Sequence, residues 1–214
     1  MADKMPQIVC VGRKYGSGGR EIGERLAEKL GVPCYDKLLI KKTAAESGLS
    51  EDFIRQEEET PAQSRWFLSG NAFADTAALS DAFYSGSQMI YDAEQKVIQQ
   101  LAEKGPCVIV GRCASELLKS SNVLSVFIYA DEQDCVARVM QRNQLNEHEA
   151  AKRIKHVDRM RKKYFACYAD SEWGQPESYD LMLSSSKFGI DGCVELILGS
   201  LAQMTQMKGE ASVE

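Results

Sequence analysis

The chain has 214 residues, 44% hydrophobic and 27% charged, with a formal net charge of −5. These values describe one soluble globular domain and exclude collagen-like, disordered and disulfide-scaffold classes, while the acidic balance argues against a nucleic-acid-coating surface. A domain of this length removes roughly 70% of its unfolded surface from water, so it requires no disulfide or structural metal to fold.

Ile8-Val9-Cys10-Val11 is a short β-rich run of the kind buried on both faces of a parallel sheet. It leads into Gly12-Arg13-Lys14-Tyr15-Gly16-Ser17-Gly18-Gly19-Arg20, after which Ile22, Leu26 and Leu30 recur every four residues and Gly31 supplies a helix stop. Val32 to Tyr35 reads as a second strand, with Pro33 placing it near a strand start or a sheet edge. Strand, glycine loop, helix and strand make a βαβ unit, whose connection is right-handed.

Residues 37–47 and 51–59 read as helices. The stretch 61–87 has no clean period, and 48–87 as a whole reads as an insertion, either over a site or as a partner surface. Helical periodicity returns over 88–104, with Ile90, Ala93, Val97 and Leu101 on one face. Cys107 to Val110 is a third strand, ending in Gly111-Arg112, and Val123 to Ala130 is a fourth. Asp131 then reads as an N-cap, with Asp134 in the capping-box position, for a helix to about Arg142. A basic helix follows over 147–168. Tyr179 to Ser184 is a fifth strand, and Ile190, Val194, Ile197 and Leu201 mark a last helix. The expected architecture is a three-layer α/β domain over 1–207 with about five parallel strands, and a frayed tail over 208–214.

Seven cysteines are an odd number, and no two form a C-x-x-C pair. Most lie in apolar segments, where a free thiol behaves as a small hydrophobe, so a reduced cytoplasmic protein is expected. Only two histidines are present, His148 and His156, which argues against a histidine-rich metal site. No apolar stretch approaches the roughly 20 residues of a bilayer span. The run Ile8 to Val11 stops at Gly12-Arg13-Lys14, unlike a secretory signal.

The glycine loop carries the first chemical signal. Glycines let successive N–H groups point into one concavity, and the start of the following helix adds about half a positive charge, which suits phosphate oxygens. A tight turn without a ligand is the competing reading, although four small residues are more than a turn requires. The full phosphate-loop signature is G-x-x-x-x-G-K-[ST], with Lys on the β/γ-phosphates and the hydroxyl on Mg²⁺. With Gly18 as its second glycine, Arg13 stands at the first position, Gly19 at the lysine and Arg20 at the hydroxyl. Arg20, with Arg13 or Lys14, is then the candidate source of the missing cation, since a guanidinium binds phosphate through its fork.

Taken together, several motifs resemble the cytidylate kinase-like proteins of the P-loop nucleoside monophosphate kinase superfamily. They are Arg13 to Ile22, Leu26 to Lys37, Val108 to Ala114, Asp158 to Tyr164, and Tyr179-Asp180-Leu181 with Ser184-Ser185. The resemblance implies a P-loop kinase fold with a helical lid, here an arginine-rich region over 138–170, and ATP with Mg²⁺ as donor and cofactor. It places Arg13, Lys14, Tyr15, Gly16, Ser17, Gly18, Gly19 and Arg20 on the donor phosphates. It places Asp36, Arg112 and Asp158 on the acceptor, and Arg20, Arg142, Arg153 and Arg161, with Arg138, on the transferring group. The family's enzymes follow the Gly-Arg pair with aspartate and precede it with an acidic residue; Cys113 and Val110 stand there in this chain. No metal ligands are identified.

On a helix over 147–168, Ala150, Ile154, Val157, Tyr164, Phe165 and Tyr168 form an apolar stripe that includes Arg161, with Asp158 one turn earlier. Burying a guanidinium is costly unless it is paired, so Arg161 snorkels, pairs with Asp158, or faces an anion in a cleft. Lys152, Lys155, Arg159 and Lys163 fall off the stripe, on a solvated face. The leading expectation is phosphoryl transfer from ATP to a CMP- or dCMP-like nucleoside monophosphate or a similar small acceptor. The alternatives are a nucleotide- or phosphate-binding regulatory protein with impaired catalysis, and an interaction protein that dimerises through 61–86. No nucleic-acid or membrane partner is expected.

Overall fold

The computed structural model describes residues 8–36, 42, 45, 46, 48, 91–119 and 122–211, with side chains as far as 206. The expected helices at 37–47 and 51–59, the insertion 48–87 and the dimer surface 61–86 lie almost wholly outside the described residues.

Five parallel strands form one sheet: β1 (Ile8–Arg13), β2 (Cys34–Tyr35), β3 (Cys107–Val110), β4 (Val123–Tyr129) and β5 (Leu181–Ser184), in the order β2-β3-β1-β4-β5. Between them run α1 (Gly19–Leu30), α2 (91–104), α3 (Ala114–Leu117), α4 (Glu132–Asn143) and α5 (Glu147–Tyr168), and α6 (Ser185–Ala211) closes the chain. β1 is central. It pairs Ile8 with Cys107 of β3 on one side and with Val123 of β4 on the other. That double pairing explains why its first four residues are an unbroken apolar run.

The sheet separates two cores. On one face Val9, Val11, Val108 and Val126 pack against Ile22 and Leu26 of α1 and Val194 and Ile197 of α6. On the other face Ile8, Cys10 and Ile109 meet Val97, Ile98 and Leu101 of α2. A smaller cluster joins Val136 and Val139 of α4 to Ala150 and Ile154 of α5, with Tyr15 packed against it. The apolar face expected for α2 is thus confirmed at Ala93, Val97 and Leu101.

The differences from expectation are local. β2 is two residues long, because Pro33 precedes it and donates no ladder hydrogen bond. β5 starts at Leu181, since residues 176–178 form a 3₁₀ turn. Asp131 is the N-cap of α4 but its side chain makes no capping bond; its own N–H donates to Ser186 Oγ at 2.8 Å. The capping box of this hairpin sits at α5 instead, where Asn146 Oδ1 accepts the Glu149 N–H at 2.9 Å and Glu149 accepts the Asn146 N–H at 3.1 Å. α6 is broken at Gly189 (φ 67°) and continues to Ala211, four residues into the segment expected to fray.

Candidate functional site

A cleft of about 1050 Å³ opens at the carboxyl ends of β1 and β3. The chain leaves these neighbouring strands in opposite directions, the place where open parallel sheets take ligands. Among the described residues its lining carries eight basic side chains (Arg13, Lys14, Arg20, Arg112, Arg138, Arg142, Arg153, Arg161) against three acidic ones (Glu21, Glu24, Asp36). In a chain whose net charge is −5, that concentration of cations focuses a positive field on the cleft.

The loop between β1 and α1 is fixed from several sides. Gly16 has φ 82°, and a Cβ there would lie 2.7 Å from the Cys135 carbonyl oxygen, so α4 rests directly on loop backbone. The Ser17 side chain is fully buried. Its Oγ donates to the Lys14 carbonyl at 2.9 Å and accepts the Gly19 N–H at 3.4 Å. The Ser17 carbonyl accepts the Ser185 hydroxyl at 2.6 Å. The Tyr15 N–H donates to Asp158 Oδ1 at 2.7 Å. Burial raises the Asp158 carboxyl above its ordinary value; the Tyr15 N–H and the nearby Arg161, Lys14 and Arg13 pull the other way.

The arginines of α4 and α5 converge on the same loop. Arg138 Nη1 donates to the Gly16 carbonyl at 3.2 Å. Arg142 places its Cζ 4.8 Å from the Tyr15 ring centroid, and Arg161 places its own at 5.5 Å. Arg153 Nε donates to the Tyr15 hydroxyl at 3.3 Å. Arg161 Nη1 also donates to the Arg13 carbonyl at 3.0 Å and stands 3.9 Å from Asp158 Oδ1. Arg161 thus lines the cleft, with Asp158 as a loose partner. Lys152, Lys155, Arg159 and Lys163 are exposed, as the helical stripe required.

On the β3 side, Gly111 (φ 88°) leaves space that the Arg13 guanidinium fills. Arg112 and Cys113 follow with φ 62° and 52°, an uncommon backbone for side-chain-bearing residues. Arg112 is ion-paired with Glu94 of α2, and both are largely buried. The Tyr164 hydroxyl donates to Glu94 Oε2 at 2.5 Å. Burial and then the Glu94 charge raise the Tyr164 phenol well above its ordinary value, which keeps it protonated and a donor. Burial likewise pushes up the thiols of Cys113 and Cys10, and that of Cys34 to about 12, so they stay neutral. Asp36 accepts from Arg20 Nε at 2.8 Å, and Glu24 does so at 3.1 Å.

A model of the cytidylate kinase-like family matches residues 8–187. The chain belongs to the cytidylate kinase-like family. Among curated proteins none matches it in sequence. A solved structure of an uncharacterized protein from Eubacterium ventriosum is 28% identical, with TM-score 0.68, over 91% of this chain and 98% of that one. Shikimate kinase from Bacteroides thetaiotaomicron is 14% identical with TM-score 0.53, over 91% and 98%. Shikimate kinase from Acinetobacter baumannii, solved with shikimate, is 16% identical with TM-score 0.52, over 94% and 95%. The last two likenesses establish the fold, a parallel sheet with flanking helices of the P-loop kinase type. Among the described residues no helix is long and apolar enough to cross a membrane.

The structure brings Arg13 to Arg20, Asp36, Arg112, Arg138, Arg142, Arg153 and Arg161 to one cleft, apart from the buried Ser17 side chain. Asp158, expected toward the acceptor, is engaged by the loop at Tyr15. Glu94 and Tyr164 were not anticipated as site residues. A glutamate inside the apolar face of α2 is the sequence signal for the first, and Tyr164 was read only within the Asp158 to Tyr164 motif and the apolar stripe.

Kinases of this kind generally use ATP and Mg²⁺. Among the described residues the donor set in this cleft does not fit a divalent cation. The one serine of the loop, Ser17, turns its hydroxyl inward, and Arg20 stands at the hydroxyl position of the signature. Asp36 and Glu24 receive Arg20, and Glu21 receives Arg25 at 2.5 Å. Among the described residues no three His, Cys, Asp or Glu side chains cluster as a metal site. The lysine position is equally closed, since a Cβ on Gly19 would lie 2.5 Å from Arg13 Cβ and 3.1 Å from Ile128 Cβ.

Proposed function

We propose that this chain is a phosphotransferase that moves the γ-phosphoryl group of ATP to a nucleoside monophosphate of the CMP or dCMP kind, or to a similar small acceptor. The observation that carries this reading is the convergence of lid arginines on the glycine loop of a family whose relatives are kinases. In the proposed reaction the loop backbone from Arg13 to Arg20 cradles the donor phosphates at the start of α1. An oxygen of the acceptor's phosphate attacks the γ-phosphorus. The bond to the β–γ bridging oxygen breaks and leaves its electron pair on departing ADP. A fully ionised acceptor phosphate has no proton to lose, so no general base is needed. Arg20, Arg142, Arg153 and Arg161 stabilise the charge on the transferring group, while Asp36 and Arg112 face the acceptor. Well-placed arginines are worth about 10³ to 10⁵ in rate, or roughly 4 to 7 kcal/mol of barrier.

A coupled assay with ATP and CMP, dCMP, UMP, AMP or GMP tests this reading. Turnover is expected with at least one acceptor and is lost in Arg161→Ala, which retains the wild-type circular dichroism. Turnover at wild-type level in that variant would remove the arginine assignment. The second reading, a nucleotide- or phosphate-binding regulatory protein with impaired catalysis, is favoured by the closed lysine position at Gly19. It predicts ATP binding with no product from any acceptor.

A further inference from the structure

Tyr15 is the meeting point of three arginines from two helices. Arg142 and Arg161 set their guanidinium carbons over its ring at 4.8 and 5.5 Å, and Arg153 donates to its hydroxyl at 3.3 Å. Its own N–H is fixed by Asp158, so the ring has a defined place on the loop. A guanidinium over an aromatic ring uses its face for that contact and keeps its in-plane N–H edge for other partners. The ring therefore does two things at once. It offsets the repulsion among neighbouring cations, and it holds their guanidinium groups beside the loop. Among the described residues no comparable cradle exists for a divalent cation. The inward Ser17 hydroxyl and the guanidinium-bound Asp36, Glu24 and Glu21 leave it no suitable ligand set.

We infer that this cleft is a metal-independent polyphosphate site, in which arginines gathered on Tyr15 supply the charge that a divalent cation supplies elsewhere. The inference rests on the reading of the loop as a donor-phosphate site and goes further by naming the ionic form bound, the free polyanion. Two guanidinium groups on one ring account for about a tenfold share of the affinity. Tyr15 is a positioning residue in this scheme, acting through the arginines.

Calorimetric titration of the full chain with ATP, once in excess EDTA and once in MgCl₂, is the test. ATP in EDTA is expected to bind at least as tightly as ATP with Mg²⁺. Binding weakened more than about fivefold by EDTA would overturn the inference and leave the donor reading standing. Absence of ATP binding in both conditions would overturn both. Inorganic tripolyphosphate in EDTA then examines the ring itself. Tyr15→Leu should bind it about tenfold more weakly, and Tyr15→Phe, which keeps the π face, should stay within about threefold of wild type. Wild-type affinity in Tyr15→Leu would show that the ring does not gather the arginines. Urea unfolding of each variant checks that the fold is retained.

Discussion

Asp158 joins the chemistry of the loop to the stability of the fold. Its carboxylate holds the Tyr15 N–H at 2.7 Å from a largely desolvated position, and burial raises its proton affinity in the folded state. In the unfolded chain the same group titrates near the usual value of about 3.9. Between the two values the folded form binds more protons than the unfolded form, so stability falls as pH rises through that window. Above the folded value the cost of the desolvated charge is fully present; below the unfolded value it is absent. Asp158→Asn keeps an oxygen for the Tyr15 N–H and removes the charge. The stability of the variant relative to wild type should therefore increase as pH is raised from about 4 toward 7, read from urea unfolding at each pH. A difference that does not change with pH would mean that Arg161, Lys14 and Arg13 fully offset the burial. Much of this residue-level detail was legible in part. The loop and its arginines were readable because glycines and guanidinium groups have specific uses. The partner of Asp158 was not, because it is a backbone N–H 143 residues away in the chain.

Three elements meet at Glu94. α2 supplies that carboxylate, the turn after β3 supplies Arg112, and α5 supplies Tyr164. Tyr91 and Tyr168 stack with ring centroids 3.6 Å apart and extend the same seam between α2 and α5. The pair is buried, so its attraction is set against a large desolvation cost, and removing one partner leaves an uncompensated charge. Glu94→Ala should destabilise the protein by about 3–5 kcal/mol for that reason. Tyr164→Phe removes one hydrogen bond to a charged group and should cost about 1.5–3 kcal/mol. Equilibrium urea unfolding measures both, and a cost for Tyr164→Phe near zero would show that Glu94 and Arg112 do not need the phenol. The extent of α5, expected from Glu147 to about Tyr168, was legible because its apolar stripe and its exposed lysines alternate with a clean period. The capping box at Asn146 and Glu149 was not anticipated, although N-x-x-E before an apolar stripe is its signature. The Glu94 seam was not legible. Periodicity identifies which face of α2 is buried, but a buried charge has meaning only beside its partner, and here that partner lies on another element.

At the scale of the whole molecule the sign of the charge changes from global to local. The net charge is −5, yet the cleft carries eight basic side chains against three acidic ones among the described residues. Overall composition therefore ruled out a generally basic surface but concealed the concentration of cations in this cleft. Without an anion, cations held this close repel one another, and the repulsion falls on α4 and α5, which carry four of them. A polyanion in the cleft relieves that repulsion and binds only the folded state, so it must raise the unfolding temperature. At about a hundredfold excess over its Kd, inorganic pyrophosphate should add about 2.7 kcal/mol, or roughly 5–10 °C for a chain of this size. Sodium chloride at matched ionic strength shortens the Debye length without occupying the cleft and should produce a much smaller rise. Differential scanning calorimetry with the two salts separates the cases. Equal shifts would mean that the arginines act as independent surface charges, and a rise confined to pyrophosphate would mean that they act as one site.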